Sequence, residues 1–372
     1  ELRQPAEAEA LYRRALQLHP LALDAVVGSM ELTADFAETK RLTDRANEII
    51  RASLPLTRCD VSLLRAVHAL ATLRGDHERA SAMLEALVAL GNASQEELTR
   101  VTEVTTIVKP RGYSVEALVD CIGELATDHP LIGLGAQYMP KLLEAIGVGL
   151  EPLGFSKSDK LTATSRSPVR DELNEIAARF GLGPFDLYRG GNAERGIHLV
   201  PTKKGAAWLV GEGVSAPLSP ASRFSAAAQA FGLFRGTLPF VLLDQAGSEA
   251  LVARLAHVDG RALPGLGPDP ALLAAFASLD ASIGFFERRA LRETISALGS
   301  GSDVSRAITG ARREAQRAAL SVVVELHEAL RAIVGGEVNP ASVEASPDAL
   351  ALLSFWIRPE ATRLRALVGA HA

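Results

Sequence analysis

Cysteine, aromatic residues, basic charge and long apolar runs are all scarce in this chain, and each scarcity removes a class of protein. Two cysteines, Cys59 and Cys121, cannot build a disulfide framework in 372 residues. They suit a reducing compartment, so a cytoplasmic location is expected. No uncharged apolar run reaches the roughly 18 residues a membrane-spanning helix needs, so no membrane span is predicted. No signal peptide is visible at the N-terminus, where the chain begins at Glu1 without a methionine. Lys and Arg number 39 against 44 Asp and Glu, a net charge of −5. Without a basic excess, nucleic acid is not an expected partner. Aromatic residues make up 5% of the chain.

What remains is ordinary globular material: 48% hydrophobic and 22% charged residues, with abundant Ala and Leu that favour helix. The length suggests two or three domains. The fold class expected is mainly α, with α+β character confined to the C-terminal half. In that reading, helical hairpins are followed by a helical domain with a small antiparallel sheet. Three regions are expected: helical repeats over 1–105, a helical connector over 106–160 and a further domain over 161–372.

In the first region, Ala8, Tyr12, Ala15 and Leu16 have helical spacing, and Pro20 marks a stop. A second pattern lies at 61–90. There Leu64 and Val67 fit one helix, Gly75-Asp76 a turn, and Ala80, Leu84 and Leu87 a second helix. These offsets resemble those of tetratricopeptide repeats, in which small residues let paired helices pack closely. The Trp and full Gly-Tyr signature of that family is missing, and a generic array of helical hairpins fits the same residues. The resemblance implies a groove for a protein partner, lined by Arg65, Ala69 and Thr72 on the first helix of the second match. It also implies that residues 8–20 are the second helix of a repeat whose first helix precedes Glu1.

Two or three helices are predicted over 112–150, with a break at His129-Pro130, and 147–164 reads as a connector. Ser167-Pro168 opens a helix carrying Ile176, Ala177 and Phe180, and Gly181 can end it. Three short strands follow, near Phe185–Tyr188, Ile197–Val200 and Ala206–Val210. Turns at Gly190-Gly191-Asn192 and Thr202-Lys203-Lys204-Gly205 separate them. Leu218-Ser219-Pro220 then leads into a helix to Arg235 with Phe224, Ala228, Phe231 and Phe234 on its apolar stripe. Helices are also predicted at Pro270–Ser278, Ser282–Leu298 and Asp303–Val334, with Gly299–Ser302 as a linker, Gly335-Gly336 as a stop and two short helices after Ser346.

The order over 167–235 resembles the catalytic domain of zinc metallopeptidases of the prenyl-protease and heat-shock membrane-protease kind. Asn192-Ala193 fits that family's Asn-Ala turn, and Leu218-Ser219 fits the start of its His-Glu-x-x-His helix. In that frame Gln229, Ala230 and Leu233 occupy the positions of the two ligands and the base, and Gly232 alone matches the common pattern. Without two imidazoles and a carboxylate, no zinc would be gripped and no water activated there. The stretch 145–370 also resembles the C-terminal region of large tetratricopeptide-repeat proteins of myxobacteria-like bacteria. That likeness rests on Gly154-Phe-Ser-Lys-Ser-Asp-Lys160, Phe185-Asp-Leu-Tyr188, Ala207-Trp-Leu-Val-Gly211 and Leu364-Arg-Ala-Leu-Val-Gly369.

Other chemistry is thin. His327-Glu328 is followed by Arg331 where a second ligand belongs, and arginine stays protonated. His198 interrupts an apolar strand. His257 and Asp259 lie near Asp244 in sequence and would suit acid–base work, yet no nucleophile accompanies them. No Gly-x-Ser-x-Gly elbow, Walker A loop or Cys-x-x-Cys occurs. Lys157, Lys160, Arg166, Lys203 and Lys204 form a mildly basic connector and turn. The expectation is therefore a non-catalytic, protein-binding scaffold or adaptor with a catalytically dead peptidase-like domain, without cofactor, bound metal or catalytic residue. Two alternatives stand beside it: a metal-dependent hydrolase using His198, His257 or His327, and a structural cap of a longer repeat array.

Overall fold

A computed structural model describes residues 5–104, 112–162, 165–192, 196–202 and 205–369; for 100–104 it describes the backbone alone. Six helices open the chain: α1 (Pro5–Leu18), α2 (Leu23–Leu32), α3 (Phe36–Ala52), α4 (Val61–Leu73), α5 (His77–Ala89) and α6 (Gln95–Val104). Then come α7 (Val115–Ile122), α8 (Pro130–Ala145) and α9 (Pro168–Ala178). The strands β1 (Asp186–Arg189), β2 (Ile197–Thr202) and β3 (Gly205–Val210) follow. After them run α10 (Pro220–Arg235), α11 (Leu238–Leu242), α12 (Gln245–Val258), α13 (Pro270–Ala275), α14 (Leu279–Ser282), α15 (Phe285–Ala297) and α16 (Gly301–Ala319). The chain closes with α17 (Leu326–Val334), α18 (Pro340–Glu344), α19 (Pro347–Trp356) and α20 (Pro359–Val368). The fold is thus mainly α with one small sheet in the C-terminal half. No helix among the described residues is long and apolar enough to cross a membrane.

The chain forms two compact units, one of residues 1–111 with 325–372, the other of 112–324. The boundaries expected at 105/106 and 160/161 therefore miss the division. Residues 112–160 group with the sheet, while the last four helices belong with the first six. Packing explains the return. α17, α19 and α20 all pack on α5, and Trp356 Nε1 donates to the Ala82 carbonyl oxygen at 2.8 Å. Ser354 Oγ accepts from Leu56 N at 2.9 Å, and Arg365 pairs with Glu85. Sequence periodicity carries no signal for contacts at that separation.

Within the first unit, α4 and α5 form the predicted hairpin. Gly75 turns the chain with φ +68°, and the Asp76 carboxylate caps α5 by accepting from Arg79 N at 3.1 Å. Leu64, Val67, Ala80, Leu84 and Leu87 are buried as expected. α1 packs on α2 through Tyr12, whose ring lies so close to Gly28 that a Cβ there would stand 2.3 Å from it.

The second unit is built around the sheet, α10 and α16. Ser167 and Ser219 cap α9 and α10 as the sequence suggests, accepting from Arg170 N and Ser222 N at 3.3 and 3.1 Å. The sheet itself differs from the antiparallel expectation. Its order is β1-β3-β2, with β2 antiparallel to β3 but β1 parallel to it. The segment after β1 makes no hairpin because it is drawn onto the loop before α9. Asn192 N donates to the Leu153 carbonyl oxygen at 2.9 Å. Gly191 lies against Phe155 so closely that an added Cβ would meet its ring at 2.4 Å. With φ of +73°, that position also suits glycine alone. The single helix expected over 303–334 is broken as well. α16 ends after Ala319, and the β-branched run Val322-Val323-Val324 disfavours helix before α17 begins.

Candidate functional site

The place where the peptidase resemblance would put chemistry is the seam between α10 and β2. β2 is an edge strand, so one row of its backbone groups lacks a strand partner. Gln229, only 3% exposed, supplies the missing pairing. Its Oε1 accepts from Leu199 N at 2.9 Å and its Nε2 donates to the Ile197 carbonyl oxygen at 2.8 Å. The same Nε2 donates to Ser225 Oγ at 3.1 Å. The side-chain amide thereby imitates one residue of a fourth strand. Ala230 is fully buried beside it, and Leu233 packs half-buried against the cluster of Met139, Leu143 and Leu238. In this packed joint the Gln229 amide and the outward backbone groups of Ile197 and Leu199 already have partners. Ala193 of the expected Asn-Ala turn lies outside the described residues.

The opposite edge of the sheet is covered too. Leu161 N donates to the Leu187 carbonyl oxygen at 2.9 Å, and Lys160 pairs with Asp186 at 2.6 Å. That pairing takes Lys160 out of the expected basic patch, of which Lys203 and Lys204 lie outside the described residues. Lys157 and Arg166 are exposed.

The three histidines of the alternative reading have separate environments. His198 shares a sheet face with its cross-strand partner Leu209. Among the described residues its Nδ1 is buried without a partner, and burial pushes its pKa down, favouring the neutral ring. His257 is exposed near the C-terminal end of α12, whereas Asp244 caps the other end by accepting from Gly247 N at 2.7 Å. A helix of this length holds those residues roughly 20 Å apart, so they cannot share a proton. Asp259 is instead held by Arg292 and Arg261 at 2.9 and 3.2 Å. His327 belongs to the other unit, with its Nδ1 3.2 Å from the Ala89 carbonyl oxygen. No group of three or more His, Cys, Asp or Glu side chains among the described residues could hold a metal ion. The Cys59 thiol is pushed up to about 11 by burial, with Glu344 and Asp60 adding to the shift. At neutral pH it is a thiol, not a nucleophilic thiolate.

The proposed groove residues share one face of α4. Arg65 and Thr72 are exposed and Ala69 is half-buried. Arg65 reaches across to the start of α6, donating to the Asn92 carbonyl oxygen at 2.7 Å and standing 3.6 Å from Glu97. Burial works to raise the Glu97 pKa, but hydrogen bonds from Ser94 and the Arg65 charge bring it below the usual carboxylate range. Thr72 Oγ1 donates to the His68 carbonyl oxygen at 3.0 Å. This face is a polar, ordered surface beside a well-packed hairpin.

Two features of the second unit were not anticipated from the sequence. Arg235 and Glu314, whose side chains are 5% and 1% exposed, pair at 3.2 Å in the core. Glu314 Oε1 also accepts from Glu124 N and Leu125 N, both at 2.7 Å. Arg317 donates to the Ile122 carbonyl oxygen at 3.1 Å and pairs with Glu124. The network ties α10 and α16 to the turn between α7 and α8. The second feature is an open cleft of about 440 Å³ beside the start of α8, with Asp128, His129, Glu293 and Thr294 in its wall. His129 has already committed Nδ1 to capping α8, accepting from Leu131 N at 3.1 Å. The i, i+3 spacing of Glu314 and Arg317 was a sequence signal for the network, but burial of both was not visible.

No protein-family model matches the chain, no curated protein matches it, and no solved structure matches its fold.

Proposed function

We propose that this chain is a cytoplasmic, non-catalytic scaffold or adaptor that binds protein partners through the helical hairpins of its first unit. In this reading the hairpins are tetratricopeptide-like, and the second unit keeps a metallopeptidase-like arrangement without the side chains the chemistry needs. The observation that carries the reading is the contrast between the two candidate places. The α10–β2 seam has its backbone groups occupied by the Gln229 amide. The α4 face instead presents Arg65 and Thr72 to solvent on a helix packed against α5. Rigid helices with ordered polar side chains bind extended or helical peptides at little entropic cost.

The test is peptide selection from a displayed library on the full chain, followed by calorimetry. Selected peptides are expected to lose about tenfold or more in affinity with Arg65→Glu or Thr72→Trp. Undiminished binding to both variants would move the contact surface elsewhere and overturn the assignment.

A further inference from the structure

The N-terminal tip of α15 carries the two most exposed large apolar side chains of the second unit. Phe285 and Phe286 are 84% and 89% exposed, and their rings stack edge to face with centroids 5.7 Å apart. Leaving two adjacent phenylalanines in water is unfavourable, and the backbone beneath them is firmly held. Glu287 accepts from Gly284 N at 2.7 Å and pairs with Lys141. Tyr138 Oη donates to the Glu287 carbonyl oxygen at 2.9 Å. Arg288 donates to the Asp280 carbonyl oxygen at 3.1 Å, anchoring the preceding turn. The pair is therefore a fixed projection, not a fraying end.

Charge indicates what meets it. Near the tip, Glu287 is neutralised by Lys141 and Asp280 by Arg254. The carbonyl contacts of Arg288 leave its charge uncancelled, and Arg289 is exposed, with its nearest carboxylate along the helix, Glu293, one turn farther from the rings. Arg288 and Arg289 thus place two positive charges within one helical turn of the rings, while Glu293 lies a further turn away. Phe36 is a useful contrast. It is equally exposed at 84%, but its neighbours are Asp35 and Glu38, and Arg41 is already paired with Glu38.

We propose that the Phe285–Phe286 tip, with Arg288 and Arg289, docks peripherally on an anionic membrane surface. The rings would enter the headgroup layer while the guanidinium groups meet lipid phosphates. Apolar insertion and attraction to anionic lipid reinforce one another in such contacts. A fixed projection suits a lipid layer, which yields around it, better than a protein partner, which would need a socket shaped to two rings.

The experiment is co-sedimentation of the full chain with phosphatidylcholine vesicles, with and without about one-third phosphatidylglycerol. Binding is expected to the anionic vesicles, far less to the neutral ones, and to fall as salt is raised. F285S/F286S should lower the apparent affinity by about tenfold or more, and R289E by several-fold. F36S should leave binding unchanged, and circular dichroism should show all three variants folded. Three results would overturn the proposal. One is no binding to anionic vesicles. Another is binding indifferent to F285S/F286S. The third is self-association of the chain that those substitutions abolish, which would assign the tip to a second copy.

Discussion

Gln229 on α10 and Arg65 on α4 are both polar residues on helices that sequence reasoning marked for function, yet the fold treats them oppositely. Gln229 is buried and spends its whole amide on the backbone of β2 and on Ser225. Arg65 is exposed and bridges to a neighbouring helix at the surface. The difference shows how a polar side chain can serve the backbone of a neighbouring strand. An edge strand needs its N–H and C=O groups satisfied once it is covered, and a glutamine amide offers one acceptor and donors at the right reach. A histidine at the same position could not donate and accept with that spacing. Gln229 thereby clamps β2 to α10.

The sharpest way to test this view begins with the deepest polar group. Glu314→Ala should cost about 3–5 kcal/mol, because it leaves Arg235 charged in the core along with the N–H groups of Glu124 and Leu125. Chemical denaturation followed by circular dichroism reads the loss, and a change below about 1 kcal/mol would mean that the network relaxes to water. Next is Gln229→Leu, which keeps the volume but strips the partners from Ile197 and Leu199. A cost of about 2–3 kcal/mol is expected, with faster amide exchange at Leu199. If the variant is as stable as the parent, the clamp is not what holds β2. Smallest is Arg65→Ala, expected to cost less than about 1 kcal/mol because Arg65 itself is exposed and stands 3.6 Å from Glu97. A loss as large as that of Gln229→Leu would erase the contrast between the two places.

Much of the local structure was legible. Ser167-Pro168, Ser219-Pro220 and Gly75-Asp76 each carry their own capping or turning chemistry, and each is where the sequence places it. What escaped was set by contacts between distant segments. β1 runs parallel to β3 because Gly191 and Asn192 are held by residues 153–155. Gly190-Gly191-Asn192, taken alone, reads as an ordinary hairpin turn. The ligand positions of the resemblance were readable as residue types. That Gln229 mends the edge of β2 was not, since nothing local in the sequence tells which strand a helix will lie against. Asp244 and His257 show the same limit in reverse: they are near in sequence, and a single straight helix separates them.

The return of the last helices to α5 also sets an order of events during synthesis. Trp356 meets Ala82 across 274 positions of chain, so the ribosome has translated all of 112–324 before α5 receives its permanent cover. The second unit is contiguous and can complete its core while the first is still waiting. In the interval the apolar side of α5 is open to chaperones or to aggregation. A stalled or prematurely terminated chain would carry a finished second unit beside an unfinished first one.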